Sequence, residues 1–464
     1  MGYVRKSLEV KMINKEELIK EYSQMAYKGE AALFVGAGIS IPYGLPDFQG
    51  LIKELARGTI DLEITPELNY PQIAQFICNE KLGKKEIKYK ISKKFDILYD
   101  ENKSTYLKSI ANSSISTIWT TNFDKLIEQS ISFSGRNYDV RNEEEHFKYY
   151  SSRNNVEILK IHGDIISSDI VITQSDYEDF NINHRIAISR LEKDLLSKSF
   201  LFIGYSYKDP NIKTIVNTVK QLLNSKFVYK HYMILEQPKD TNESKLQKLW
   251  IKDMERYGIY VYEYQYGNYK ELESILAKVS KKSKGRSVFV TGSHLNNHNT
   301  IAAEVGRELF HINNLILKYG HSKGIGSIVC NNFVQKCISN NVDIGKRIEI
   351  YANPYSFCDD WDNKDFLLGA LEEMRKDILE NVQILIAFPG GKGTKLEIEM
   401  ALKRGVVVIP VMGERDKKFK EYIFKNLQLI EQLRQYSVEY INKLECNQVK
   451  VADIINCVRV ILND

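Results

Sequence analysis

The sequence predicts two α/β domains in tandem, each built on a parallel sheet, and three observations carry this. Two short apolar runs, Ala31–Val35 and Val288–Val290, lead straight into turns of small residues, Gly36–Ala37–Gly38–Ile39–Ser40 and Thr291–Gly292–Ser293. Each run follows a charged, helix-like segment and is followed by strand-sized and helix-like stretches in alternation, the sign of a parallel sheet with crossover helices. Between the two series lies Lys281–Arg286, short, polar and glycine-containing, behind the amphipathic segment Tyr269–Val279. A boundary there gives domains 1–283 and 284–464. A length of 464 residues also exceeds what one core holds.

Further strands of the first half are expected at Ile115–Trp119, Val156–Ile161, Ser199–Ile203 and His231–Leu235. In the second half Ile384–Phe388 reads as a buried strand, Leu396–Lys403 as the start of a helix and Val406–Val411 as the next strand. In open α/β sheets ligands sit beyond the carboxyl ends of the strands. Chemistry is therefore sought in Thr120–Thr121–Asn122–Phe123–Asp124, in His162–Gly163–Asp164, and in Gly204–Tyr205–Ser206 with Tyr207–Lys208–Asp209.

Composition removes several function classes. Lys and Arg number 65 against 60 Asp and Glu, and a net charge of +5 is too weak at this length to argue for nucleic acid. The densest basic stretch, Lys81–Lys94, reads as a solvated helix face. Cys78, Cys330, Cys337, Cys358, Cys446 and Cys457 include no CxxC pair, which argues for a reducing compartment and against a structural zinc site. The N-terminal stretch lacks the apolar core of a signal peptide. Lys6 stands where a myristoylation signal after Gly2 needs Ser or Thr. The longest apolar run, Val406–Met412, falls far short of the about 18–20 residues of a membrane span. A cytoplasmic protein is expected, with no membrane and no nucleic-acid partner.

Gly36 and Gly38 can adopt positive φ and let backbone approach a ligand closely. Amides at such a strand-to-helix turn bind phosphate oxygens. Alone, GAG fits a structural turn equally well. Its continuation is more specific. Residues 36–48, GAGISIPYGLPDF, resemble the NAD-binding loop of the sirtuin family, with the same spacing from GAGxS to G-[IL]-P-D-F. Three more segments are similar to that family in the same order. TTNFD at 120–124 resembles its T-x-N-x-D stretch, Ile161–His162–Gly163 its catalytic His-Gly, and Gly204–Tyr205–Ser206 its Gly-x-Ser turn. The resemblance implies a sirtuin-like Rossmann domain with Asn122 and His162 catalytic. It implies NAD lined by Gly36, Ala37, Gly38, Ser40, Asp47, Phe48, Asn122, Asp124, Gly204 and Ser206.

The residue chemistry agrees. Nicotinamide leaves the pyridinium of NAD as a neutral molecule, so no general acid is needed. The site must instead stabilise an oxocarbenium-like ribose and present a nucleophile. The Asn122 amide can orient a water or a ribose hydroxyl. His162 is expected to titrate near neutrality and accept a proton. Asp47 and Phe48 would cover the nicotinamide end, and Ser40 and Ser206 would donate to phosphate. Asp124 is read as bracing its own loop, Asp164 as a turn residue, and His146 and His184 have no motif support. A lone Asn after a strand is otherwise a turn or cap residue. The departures matter more. Sirtuin deacylases carry two CxxC pairs beside the acyl-peptide channel, and the first half has one cysteine, Cys78. The family's Arg after P-D-F is Gln49 here. Without an acyl-lysine, water is the expected acceptor. The products would be nicotinamide and ADP-ribose, a minor cyclised product staying open. NAD is then the substrate, and neither cofactor nor zinc is expected.

In the second half, Pro389–Gly390–Gly391–Lys392–Gly393–Thr394 is a glycine-rich turn with the mechanics of a phosphate cradle at a helix N-terminus, Lys392 adding charge. It resembles the PGGxGTxxE signature of the lysine-decarboxylase-like, or LOG, family of Rossmann proteins. Met374–Arg375–Lys376 is similar to that family's M-x-x-R-K element, one residue tighter. The family includes nucleotide phosphoribohydrolases that use an Arg and the motif Glu, which would be Arg375 and Glu397. The turn at Gly292–Ser293 and the loop Gly320–Ser327 would complete the pocket.

A sirtuin-like domain followed by a LOG-like (SLOG) domain resembles the NAD-cleaving effectors of bacterial Thoeris antiphage defence. That resemblance implies that the second domain is a sensor. A cyclic ADP-ribose isomer, made by a partner TIR-domain protein, would bind Gly292, Ser293, Arg375, Gly390, Gly391, Lys392, Gly393, Thr394 and Glu397 and release NAD hydrolysis. It also implies a homo-oligomer, a tetramer. Two alternatives stay open: a LOG-type phosphoribohydrolase at the C-terminal site, and a nucleotide-sensing scaffold without turnover.

Overall fold

The computed structural model describes residues 13–65, 68–151, 155–206, 229–255, 258–293, 298–357 and 364–462. Gly2, Lys6, Tyr207–Lys208–Asp209 and Cys358 lie outside the described residues. The chain divides into two compact units, Met1–Ser283 and Lys284–Asp464.

In the first unit the described strands are β1 (Ala31–Val35), β2 (Thr117–Thr120), β3 (Tyr138–Arg141), β4 (Val156–Lys160), β5 (Ser199–Ile203), β6 (His231–Glu236) and β7 (Ile259–Tyr264). They form a sheet in the order β3-β4-β2-β1-β5-β6-β7, with every pairing parallel. β1, β4 and β5 are buried along their whole length; β1 and most of β5 read as continuous apolar runs, whereas β4 buries Glu157 and Lys160, and β3, at an edge, is half-exposed. Alternate residues feed two cores. Leu33, Val35, Ile118, Leu201 and Ile203 face one layer, and Ala32, Phe34, Trp119, Phe200 and Phe202 the other. After β1 the chain builds outward through β2, β3 and β4, then crosses back to lay β5 on the other side of β1. That reversal opens a crevice at the carboxyl ends of β1, β2 and β5. Val35 lies level with both Thr120 and Ile203, so the loops following these strands start side by side.

The second unit repeats the device. β8 (Ser287–Thr291), β9 (Ile316–Tyr319), β10 (Ile348–Ile350), β11 (Ile384–Ala387) and β12 (Val407–Pro410) run parallel in the order β10-β9-β8-β11-β12. The reversal falls between β8 and β11, above the turns at Gly292 and Gly390. The architecture is α/β in both units.

The segment Lys281–Arg286, where the sequence places the domain boundary, is in part helical. The helix Tyr269–Ser283 absorbs its first half, because buried Ser283 is held by Ser114, whose N–H donates to Ser283 Oγ at 3.0 Å and whose hydroxyl donates to Ser283 O at 2.8 Å. The helix expected from Leu396 starts at Lys392, with Gly391 in extended conformation as its N-cap, so half of the glycine-rich turn is helical. The basic helix Gly83–Phe95 is more than a solvated face. Ile87, Ile91 and Phe95 are buried, Lys84 pairs with Asp169 at 2.9 Å and with Asp176, and Lys88 donates to the carbonyls of Ser167 and Ser168. Among the described residues, no helix is long and apolar enough to cross a membrane. None shows a cluster of three or more His, Cys, Asp or Glu able to hold a metal ion.

Candidate active site and second nucleotide site

At the first reversal the loops after β1 and β5 interlock. Gly36 N–H donates to Ile203 O and Gly38 N–H to Gly204 O, both at 2.9 Å. A Cβ on Gly36 would lie 2.6 Å from Gly204 O and 2.7 Å from the Tyr205 ring, and one on Gly38 would lie 2.9 Å from Gly204 Cα. Gly204 itself sits at φ +77°. These glycines are thus required by backbone-on-backbone packing. Ile39 N–H and Ser40 N–H turn back onto Gly36 O and Ala37 O. Of the loop's five amides, four are engaged internally.

Asn122 stands at the centre. Its N–H donates to Thr120 Oγ1 at 3.0 Å, and its Nδ2 donates to Gly36 O and to Ser40 Oγ, both at 3.2 Å. Its Oδ1 is buried and, among the described residues, has no hydrogen-bond partner. Ser40, expected to meet phosphate, is buried and donates instead to Asp124 Oδ2 at 2.8 Å. Asp124 braces its loop as read, accepting Leu126 N–H at 3.0 Å, and additionally ties down the glycine loop through Ser40. Asp47 caps the helix Phe48–Ala56, accepting Gly50 N–H at 2.7 Å, and the Phe48 ring meets Tyr70 edge-on. Ser206 is exposed at the end of the described part of its loop.

His162 follows β4 and is buried against Tyr177 and Phe180, with ring centroids 5.6 and 5.7 Å away. Here the near-neutral titration is overturned. Burial, with a smaller push from His184, lowers the imidazole to about 3, because the nearby Asp176 does not offset the lost hydration. His162 is a neutral ring in this arrangement. His184, without motif support in the sequence, stacks on Phe180 at 4.7 Å and so belongs to the same wall.

Sequence reasoning gave no role to Tyr205, Lys160 and Glu128. Tyr205 OH donates to Val35 O at 3.0 Å and lies 3.0 Å from Thr121 Oγ1, fastening the β5 loop to the ends of β1 and β2. Lys160 and Glu128 form a buried pair at 2.7 Å beneath the Asn122 loop. A lysine closing the strand-sized stretch Val156–Leu159 was the available signal.

The second reversal brings together the residues assigned to the signal site. Arg375 Nε donates to Glu397 Oε1 at 3.0 Å, and Thr291 Oγ1 donates to the other oxygen of Glu397. A Cβ on Gly393 would lie 2.8 Å from Arg375 Nη2, and one on Gly390 would collide with Thr394. Ser293 N–H donates to Pro389 O at 3.1 Å, joining the two turns. Gly391 and Lys392 are exposed at the helix N-terminus. Sequence reasoning missed His298, which meets Asp416 at 2.8 Å beside Phe388; no local motif links residues so far apart.

Comparison with known proteins bears on both sites. The family model described as SIR2-like domain matches residues 116–257, a stretch containing Asn122, His162 and Gly204. The model of the Sir2- and TIR-associating SLOG family matches residues 271–464. The chain is 28% identical to a protein named NAD(+) hydrolase ThsA from Cytobacillus dafuensis, covering 86% of this chain and 85% of that one. It is 27% identical to the protein of the same name from Bacillus cereus, over 85% and 86% of the two chains. Against the Enterococcus faecium protein of that name the identity is 32%, over 61% of each.

Proposed function

Because the chain carries a SIR2-like domain followed by a SLOG domain, we propose that it is an NAD+ glycohydrolase acting in antiphage defence and switched on by a nucleotide held in the second domain. The observation that carries the catalytic half is the unpartnered Asn122 Oδ1. A buried acceptor without a donor is costly, and a substrate hydroxyl or a water supplies the donor. In the reaction the C1′–N bond to nicotinamide breaks and its electron pair leaves with the neutral base. A water oxygen then bonds C1′, and its proton passes out through His162 once substrate and water rehydrate the ring. NAD is the substrate, and neither cofactor nor zinc takes part.

The activator is a cyclic ADP-ribose isomer produced by a TIR-domain protein of a Thoeris system. Its phosphates meet the helix N-terminus at Gly391–Lys392 and the Arg375 guanidinium. Two sites on one chain allow coupling if the ligand binds two states differently. The working form is a tetramer. The Arg375–Glu397 contact favours a second reading, phosphoribohydrolase chemistry at the C-terminal site.

The test is nicotinamide release from NAD with and without cyclic ADP-ribose isomers. Release that rises with one isomer is expected; none under any isomer would sink the reading. Free base released from a nucleoside monophosphate and lost in Glu397→Ala would favour the second.

A further inference from the structure

We propose that Lys160 is a positioning residue for NAD cleavage, clamping the loop that carries Asn122 to the loop that carries His162. The inference rests on reading this crevice as the hydrolase site. Lys160 ends β4 level with Thr120 at the end of β2, and its side chain is 1% exposed. An ammonium has three donors, and three acceptors surround it, one from each loop and one from the helix Leu126–Phe133. It donates to the Asp124 carbonyl and, at 2.7 Å, to Glu128 Oε1, while Asp164 Oδ2 lies at 3.5 Å. Asp124 is two residues beyond Asn122, and Asp164 is two beyond His162.

From the clamp, bonds run to Asn122 and to the loop behind His162. The Asp124 carboxylate accepts from Ser40, and Ser40 Oγ accepts from Asn122 Nδ2, which aims Asn122 Oδ1. On the other side Asp164 gathers Ile166 N–H, Ser167 N–H and Asn142 Nδ2, closing the loop behind His162. A buried ion pair is weak support for stability, since apolar residues of similar volume do as well. An apolar pair could not bond both loops at once, and a shift of about 1 Å at a reacting group costs on the order of 100-fold in rate.

Lys160→Met alone leaves two carboxylates buried beside an apolar side chain and loosens the domain whatever its role. The informative variant is Lys160→Met with Glu128→Gln, which removes the carboxylate nearest the ammonium and leaves Asp164 to its own donors from Ile166, Ser167 and Asn142. The expected result is thermal stability recovered towards wild type, with kcat for activated NAD hydrolysis still at least about tenfold down and KM within about threefold. A double variant with wild-type kcat would overturn the proposal. Should the double variant fail to fold, Lys160→Arg decides. It keeps the charge but misplaces the donors, so the same kcat loss at constant KM is expected, and full kcat overturns the clamp. Amide hydrogen exchange gives a readout independent of turnover. Exchange at 122–126 and 161–165 is expected to quicken at least about tenfold in the variant while β6 is unchanged, and unaltered exchange at both loops overturns the proposal. If the wild-type protein releases no nicotinamide, the NAD reading has failed and exchange still judges the clamp.

Discussion

The two glycine turns resemble each other in sequence and differ in what their glycines do. At Gly36–Ser40 the missing side chains let two loops touch, and most of the turn's amides are spent inside the protein. At Gly390–Lys392 the turn hands over to a helix with an exposed N-terminus, and a Cβ on Gly391 would meet no atom of the described residues within 4 Å. The first turn builds a rigid, dry wall that presents a buried carboxamide oxygen. The second presents open amides and a surface lysine. A glycine-rich loop is therefore two different signals, and the packing around it distinguishes them.

The largest effect should come from the feature specific to the dry wall. Asn122→Ala removes the orphaned acceptor, and steady-state nicotinamide release with activator present is expected to fall about 100- to 1,000-fold, as for loss of a preorganised polar group at a reacting centre. Retained turnover would mean that the buried oxygen serves no substrate. Next comes the interlock. Gly36→Ala places a methyl 2.6 Å from Gly204 O, and urea unfolding should show a loss of about 1–3 kcal/mol or more. Arg375→Ala acts on the open turn. It should raise the activator concentration for half-maximal hydrolysis about tenfold or more, through loss of a charge-assisted contact. Turnover at saturating activator should be kept.

The sequence disclosed the two-sheet plan because buried parallel strands such as Ala31–Val35 and Ser199–Ile203 are short apolar runs closed by glycine, a local pattern. It singled out Asn122 and His162 because motif spacing is local too. It could not disclose that Ser40 faces Asp124, since that bond joins residues 84 positions apart. Nor could it show that His162 is dry, because the ring's hydration is set by Tyr177 and Phe180, which pack on it from separate short helices. The start of the helix at Lys392 was hidden by Gly393, a poor helix former in its first turn.

Dryness around His162 makes a pH prediction on the first-turn side. A base whose folded pKa lies below its unfolded value contributes stability that is present above about 6.5 and lost as pH falls towards 3. Urea unfolding of wild type and His162→Gln should diverge below pH 6.5 by up to about 1.4 kcal/mol per pH unit, wild type being the one that weakens. Parallel curves from pH 7 to pH 5 would show the ring to be hydrated in solution.

The smallest effect should come from Gly391→Ala, and it sharpens the contrast most. The new methyl meets no atom of the described residues within 4 Å, and the residue's φ of −84° is open to alanine. A gain of about 0.4–1 kcal/mol from the stiffer unfolded chain opposes the poorer N-cap, so unfolding should move by less than about 1 kcal/mol. The methyl does, however, stand over the amides that an activator phosphate would approach. Half-activation should therefore shift upward by about threefold with stability unchanged, the reverse of the Gly36→Ala pattern, in which stability falls first. Equal losses of stability in the two alanine variants would mean that both turns are packing devices and that the second holds no phosphate.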